Sequence, residues 1–307
     1  MNWIVVLAIA VISDALRIFI DNYVADIYFK EKDSVAQKII SGLVLPIAGI
    51  VTLFFNGFDP TQILPLTIIL LMLSGIFSSL AGIPYFKALE IDDSTNIGIF
   101  FQFSPILYLF YGWFFTGVPF NFTHLIGALI ILSAPFIIVI SARKRSRKVK
   151  IKAAFYAFIS ILFYVASGAL FVQADSAGPN LFNEIGLTLI FKGISDVIII
   201  GGRTKWRRRL SKVIKSSRGK VLGPINAGVA MRLIQEFSYR IGLVIAPSVA
   251  IASAASDSTE PIVIFFLGLV LTLVWPKFGR EKLQKKIVLV HLIATILVIV
   301  GIIFMQM

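Results

Sequence analysis

Acidic and basic side chains occur inside stretches of sequence that are otherwise apolar, and these are the residues of this chain that could do chemistry. Asp257 and Glu260 lie just before Pro261. Proline has no backbone N–H, so the carbonyl of Asp257 loses its helical partner. A free carbonyl beside two carboxyl groups could hold a cation or carry a proton, which makes Glu260 the candidate coupling residue with Asp257 in support. Alternatively, residues 248–256, rich in Ala and Ser, form an extracellular loop and leave both acids in water.

Three other apolar stretches carry charges three or four positions apart, so the charges of each stretch share one helix face. Ionisable groups inside a membrane cost several kcal/mol unless they are paired or hydrated. Each set is therefore either part of a functional site or a structural ion pair, and we expect Arg232 to reach Glu236 and Arg17 to reach Asp14. The sets are Asp14, Arg17 and Asp21; Lys192 and Asp196; and Arg232, Glu236 and Arg240.

The predicted interior charges nearly balance, which would suit a zwitterion such as an amino-acid-like solute. Metal binding is not supported, because the chain has no cysteine and only two histidines, His124 and His291, which nothing places together. Aromatic side chains such as Tyr108 and Tyr164 either line the cavity or pack against lipid and neighbouring helices. The candidate residues for binding solute or ion are Glu260, Asp257, Arg232, Glu236, Asp14, Arg17, Gln102 and Lys192.

The elements that position these residues are predicted to be membrane-spanning helices. The chain has 307 residues, of which 58% are hydrophobic and 15% charged, whereas a soluble domain is nearer a quarter charged. No β-barrel alternation is present, and a bilayer admits only helices and closed barrels. Ten apolar runs of spanning length follow one another, leaving room for one membrane domain only. They cover residues 3–23, 36–56, 62–86, 94–116, 122–141, 152–173, 181–201, 222–244, 248–274 and 286–305.

Basic residues are concentrated in the connections after the fifth, seventh and ninth predicted spans. Residues 143–152, 203–220 and 277–286 hold 21 of the 29 Lys and Arg. Basic loops beside membrane helices face the cytoplasm, so the sequence predicts that odd-numbered loops are cytoplasmic and that both termini lie outside. The alternative is that these clusters bind anionic lipid or nucleic acid.

The two halves of the chain resemble each other. Pro105 and Gly112 are seven residues apart, as are Pro261 and Gly268, and a His-Leu-Ile triplet follows in each half. We therefore predict one five-helix repeat over residues 1–143, a basic connection over 144–151 and a second repeat over 152–307. The two prolines are the expected helix kinks. Because five is odd, the second repeat is inverted in the membrane, which is typical of transporters with a site near the midplane.

Four short motifs occur in order within the first half. They are Pro-Tyr-Phe-Lys-Ala-Leu at 84–89, Gln-Phe-Ser-Pro at 102–105, Gly-Trp-Phe-Phe-Thr-Gly at 112–117 and Leu-Ile-Gly-Ala-Leu-Ile-Ile at 125–131. Their order and spacing resemble the drug/metabolite transporter superfamily, EamA type. Two features depart from the family. Val118 occupies a position where the family often has an acidic residue. Many members are assigned both termini inside the cell, whereas the basic connections of this chain predict both termini outside. The resemblance implies transport of a small polar molecule and does not name it.

The function predicted on these grounds is secondary transport of a small polar metabolite across the cell membrane by alternating access. No Gly-rich phosphate loop is present in the sequence, so ATP hydrolysis by this chain is not expected. A lipid or polyprenyl-carrier flippase of the same fold is the alternative, and a membrane-embedded lipid-modifying enzyme is a third class. The expected partners are a small-molecule solute and membrane lipid, with no nucleic acid and no cofactor.

Overall fold

The computed structural model describes residues 2–24, 27–28, 38–91, 100–101, 103–115, 117, 122–142, 150–175, 180–274 and 285–306. Within these ranges every regular element is helical. The α-helices are α1 (Trp3–Val24), α2 (Lys38–Phe55), α3 (Pro65–Ile91), α4 (Ser104–Phe115), α5 (Phe122–Ala142), α6 (Ile151–Asp175), α7 (Leu181–Asp196), α8 (Thr204–Ser216), α9 (Leu222–Ile245), α10 (Val249–Val274) and α11 (Lys285–Gln306).

Five helices in the described ranges are long and apolar enough to cross a bilayer, namely α1, α2, α3, α6 and α10. A sixth span results if α7 with its continuation and α8 count together as one broken segment. The apolar parts of α5 and α11, residues 122–134 and 292–305, are shorter. The chain is thus a helical protein with five or six candidate spans, and the count of ten stays a prediction.

Local sequence signals explain where several helices begin and end. Asn180 precedes α7, and its side-chain oxygen accepts a hydrogen bond from the backbone N–H of Phe182 at 3.0 Å, as expected of a residue that caps a helix N-terminus. Gly57 ends the turn after α2 with a φ of 60°, a conformation that favours glycine. Asp59 then caps a short 3-10 turn over Pro60–Gln62.

The segment predicted as one span over 181–201 is more complex than a straight helix. The α-helical part α7 ends at Asp196, and a π-helical turn follows over Val197–Gly201. The chain then bends by 95° into α8. The basic connection 203–220 therefore contains a helix of its own, which its charge pattern alone did not predict.

Helices from the two halves of the chain pack against each other in pairs. The most extensive contacts join α3 to α6, α1 to α9, α2 to α7 and α5 to α11, and further contacts join α1 and α4 to α10. The charged residues of α1, α7, α9 and α10 are consequently carried by helices that contact one another in the interior. Small residues allow some of these approaches: a Cβ atom added at Gly127 of α5 would lie 2.6 Å from the carbonyl oxygen of Gly301 on α11.

Candidate functional site

Helix α1 presents a chain of three charges on one face. The Arg17 Nε donates to Asp14 Oδ1 at 2.6 Å, and its Nη1 donates to Asp21 Oδ2 at 3.0 Å. The expected pair of Arg17 and Asp14 is present, and Asp21 extends it. Two carboxylates share one guanidinium, so the cluster carries a net negative charge when all three groups are ionised.

Asp257 lies in the interior of α10. Its Oδ2 accepts hydrogen bonds from the hydroxyl of Ser104 on α4 and from that of Ser253, one turn earlier, at 2.7 Å. The residue is only 7% exposed. Since α10 begins at Val249, the alternative of an extracellular loop over 248–256 is wrong, and Asp257 is a buried acid on a helix.

Glu260 lies on α10 and is influenced electrostatically by both Asp14 of α1 and Asp257 of α10. It is partly buried, and the electrostatic influence of Arg17 also reaches it. Asp14 and Arg17 of α1 thus act electrostatically on Glu260 of α10, where the two helices pack against each other. Such a cluster can exchange a proton, because the repulsion between neighbouring carboxylates disfavours the ionisation of all of them at once.

A second charged cluster connects α7 and α9. Glu236 forms an ion pair with Lys192, and its Oε2 lies 3.5 Å from Nε of Arg240. All three residues are less than a tenth exposed. The guanidinium of Arg240 also stacks 4.6 Å from the ring centre of Phe171. Two cations therefore share one carboxylate, and this cluster carries a net positive charge.

The predicted pair of Arg232 with Glu236 is wrong. In the described residues Arg232 donates instead to the hydroxyl of Ser41 on α2, at 3.2 Å, while Glu236 binds Lys192 and Arg240. The alternative of an ion pair between Lys192 and Asp196 is not formed among the described residues: Lys192 pairs with Glu236, and Asp196 accepts from Ser79 of α3 at 2.6 Å. Helical spacing permitted the expected pairs, but neighbouring helices supply nearer partners.

Three tyrosines gather beside Asp257. The rings of Tyr164 and Tyr239 are 5.9 Å apart, and Tyr108 of α4 lies close to Tyr239. All three are influenced electrostatically by Asp257. The sequence singled out Tyr108 and Tyr164 as cavity candidates and missed Tyr239, although Tyr239 directly precedes Arg240 in a charged helix.

Other predicted residues take different places. Pro105 is buried at the second position of α4, just after a turn at Phe103, and α10 continues through position 261. The side chains of Pro261 and His291, and the whole of Gln102, lie outside the described residues. The exposed fraction of Trp113 is 44%, which points to the protein surface rather than to the charged clusters.

Glu184, in the first turn of α7, is buried rather than hydrated. It is only 1% exposed, and the carboxyl group of Asp175, at the end of α6, influences it electrostatically. No group of three or more His, Cys, Asp or Glu in the described ranges is arranged to hold a metal ion. The serine donors Ser104 and Ser253 were also missed, although Ser253 precedes Asp257 by one helical turn.

Part of the first half of the chain is similar to a known protein family. Residues 36–140 match the EamA-like transporter family, which belongs to the drug/metabolite transporter superfamily. All four motifs of the first half lie within this match. A solved crystal structure of another protein covers 97% of this chain and 96% of its own, with a TM-score of 0.59 and 14% identity. At that identity the likeness shows the fold alone. A search of curated proteins finds no match.

Proposed function

We propose that this chain, whose residues 36–140 match the EamA-like transporter family, is a secondary transporter that moves a small polar metabolite across the cell membrane. The observation that carries the proposal is the electrostatic influence of Asp14 and Arg17 of α1 on Glu260 of α10. Buried ionisable groups in apolar helices are costly unless they serve a pathway or a partner.

The proposed architecture is two inverted five-helix repeats, with residues 1–143 and 152–307 related by a two-fold axis in the membrane plane. The helix pairs support it. A two-fold axis would relate α1 to α6, α2 to α7, α3 to α9, α4 to α10 and α5 to α11. The α3–α6 contact then corresponds to the α1–α9 contact, whereas the pairs α2–α7, α4–α10 and α5–α11 each correspond to themselves. All of these contacts are formed. Alternating access would then be a rocking of one repeat against the other.

Glu260 is proposed as the coupling residue. Asp14 acts on its carboxyl group electrostatically, so a proton taken up by Glu260 removes the repulsion between the two negative charges. Asp257 is already stabilised by two serine hydroxyls, which suits a supporting role. Uptake of a proton from one side and its release to the other would link solute movement to the proton gradient.

The solute is proposed to be zwitterionic, with an amino-acid-like molecule as the candidate. The α1–α10 cluster is net acidic, and the cluster of Lys192, Glu236 and Arg240 is net basic. Opposite poles on neighbouring helices match a molecule that carries an ammonium group at one end and a carboxylate at the other. Arg232, which has a hydroxyl partner in Ser41, is a further candidate for the anionic end.

The experiment is transport by the purified chain in proteoliposomes, with solutes chosen by a thermal-shift screen of metabolites. Glu260→Gln keeps the size and polarity but cannot ionise. We expect it to abolish accumulation driven by a proton gradient while sparing solute exchange, because exchange needs binding and rocking without net proton movement. Glu281→Gln, in a basic connection, is the control and should leave both activities unchanged.

Two results would count against the proposal. Accumulation by Glu260→Gln at the unmodified rate would remove Glu260 from the coupling role. Movement of labelled lipid between leaflets, with no water-soluble substrate transported in the same liposomes, would replace solute transport by lipid flipping.

A further inference from the structure

Helix α8 is bent sharply away from the axis of α7. It follows α7 and its π-helical turn after a bend of 95°. If α7 crosses the bilayer, a helix at a right angle to it runs parallel to the membrane plane. Amphipathic helices in this position sit at the depth of the lipid headgroups.

The inward face of α8 is apolar and packed against the protein. Leu210 is buried in a cluster with Ile39 of α2 and Ile200 of the π-helical turn, and Trp206 and Ile214 pack against the same cluster. This contact fixes the rotation of α8 about its own axis. The opposite face is therefore held outward and cannot turn away from its surroundings.

The outward face of α8 is strongly cationic. Arg207, Arg208, Lys212 and Lys215 are exposed, and with Ser211 they line an open groove along the helix. The helix contains no acidic residue, and within the described part of the chain none of these four cations forms an ion pair. Arg208 and Lys212 are four residues apart, so they repel each other, and the face lacks an anionic counterpart.

We propose that this outward face of α8 is a binding site for anionic phospholipid headgroups. The phosphate diester of a lipid lies at the depth where the bend holds the helix, and a guanidinium fork matches phosphate oxygens in a bidentate arrangement. Each basic residue near an anionic membrane surface adds to the attraction. A soluble anion would meet the same charges but not the same placement.

The position of α8 in the chain gives this site a mechanical consequence. It connects α7, which carries Lys192, to α9, which carries Glu236 and Arg240. Headgroups bound to α8 would hold the ends of both helices at the membrane surface. The proposed lipid site is thus on the exposed face of the helix that connects α7 to α9, whereas the ion pairs carried by those two helices are buried.

The test measures retention of phosphatidylglycerol by the full chain in detergent, using native mass spectrometry and titration with a fluorescent phosphatidylglycerol. The variant replaces Arg207, Arg208, Lys212 and Lys215 by Gln. The matched control replaces Arg143, Lys144, Arg145 and Arg147 by Gln, which removes the same charge from another basic connection. We expect the α8 variant to bind at least about tenfold more weakly and the control to stay close to the unmodified chain.

Equal weakening in both variants would overturn the proposal, since it would reflect net charge alone. Displacement of the fluorescent lipid by phosphatidylcholine or by inorganic phosphate at the same concentration would also overturn it. The salt dependence of lipid retention by the unmodified chain is a further test, and it does not depend on whether a variant folds. Raising the ionic strength from about 0.05 M to about 0.5 M shortens the screening length and should release the lipid, whereas retention unchanged by salt would contradict the inference.

Discussion

Glu236 is the residue on which the basic cluster depends, because it is the only carboxylate that the described residues place against both Lys192 and Arg240. Glu236→Gln leaves two buried cations without an ionised partner. Breaking a buried pair from one side costs about 3–5 kcal/mol. Lys192→Met, in contrast, leaves Glu236 paired with Arg240.

We therefore expect Glu236→Gln to lower the melting temperature of the purified chain much more than Lys192→Met does. The measurement is thermal unfolding in one detergent for both variants, with the unmodified chain alongside. A larger loss in Lys192→Met would mean that Arg240 does not compensate Glu236, and the shared carboxylate would be the wrong description of the cluster.

Asp257 offers a second prediction for single residues. Its two serine donors come from different elements, Ser104 from α4 and Ser253 from α10 itself. Replacing both by Ala removes two hydrogen bonds to a charged group, each worth about 1.5–3 kcal/mol. We expect Ser104→Ala with Ser253→Ala to lower thermal stability, and Asp257→Asn to reduce the cost of those two replacements, because an amide oxygen accepts the same hydrogen bonds without the charge. Full additivity of the three replacements would show that the hydroxyls do not act through Asp257.

Among the helices, the contact of α5 with α11 depends on the absence of side chains. Gly127 and Gly301 approach so closely that a Cβ atom on either would lie within 3 Å of the other's carbonyl oxygen. Small residues drive helix association in membranes because lipid offers no hydrophobic advantage for larger ones. The pairing of these two helices therefore requires glycine at both positions.

The prediction for this element is that Gly127→Leu separates α5 from α11. The chain lacks cysteine, so a single introduced pair reports the contact cleanly. Cysteines at Ala134 and Ala294, which lie in one buried cluster, should form a disulfide in the otherwise unmodified chain and lose it with Gly127→Leu. Leu129→Ala, on an exposed position of the same helix, is the control and should leave the disulfide intact.

The whole molecule is predicted to have a fixed orientation. With 21 of 29 basic residues in three odd-numbered connections, the positive-inside rule places those connections in the cytoplasm and both termini outside. A C-terminal reporter that is active only in the cytoplasm should be silent, and one inserted at residue 147 should be active. A bright C-terminal signal would reverse the orientation without affecting the helix packing.

The class of the molecule follows from the amino-acid sequence alone. Long apolar runs can satisfy their backbone groups in a bilayer only as helices, so the predicted spans coincide with the described helices to within a few residues for α1, α2, α5 and α10. The ordered motifs at 84–131 indicated the family that residues 36–140 match. The pair Arg17–Asp14 was also predictable, because both partners lie on one helix at a fixed spacing.

The partners of the other charges were decided by the tertiary structure. Spacing along α9 allowed Arg232 to reach Glu236, yet Lys192 from α7 and Arg240 occupy that carboxylate. Asp257 meets Ser104 across 153 positions of sequence, and Asp14 acts electrostatically on Glu260 across a helix contact. Sequence periodicity fixes which residues share a helix face. Which face meets which neighbour depends on close packing between helices, and local spacing carries no information about it.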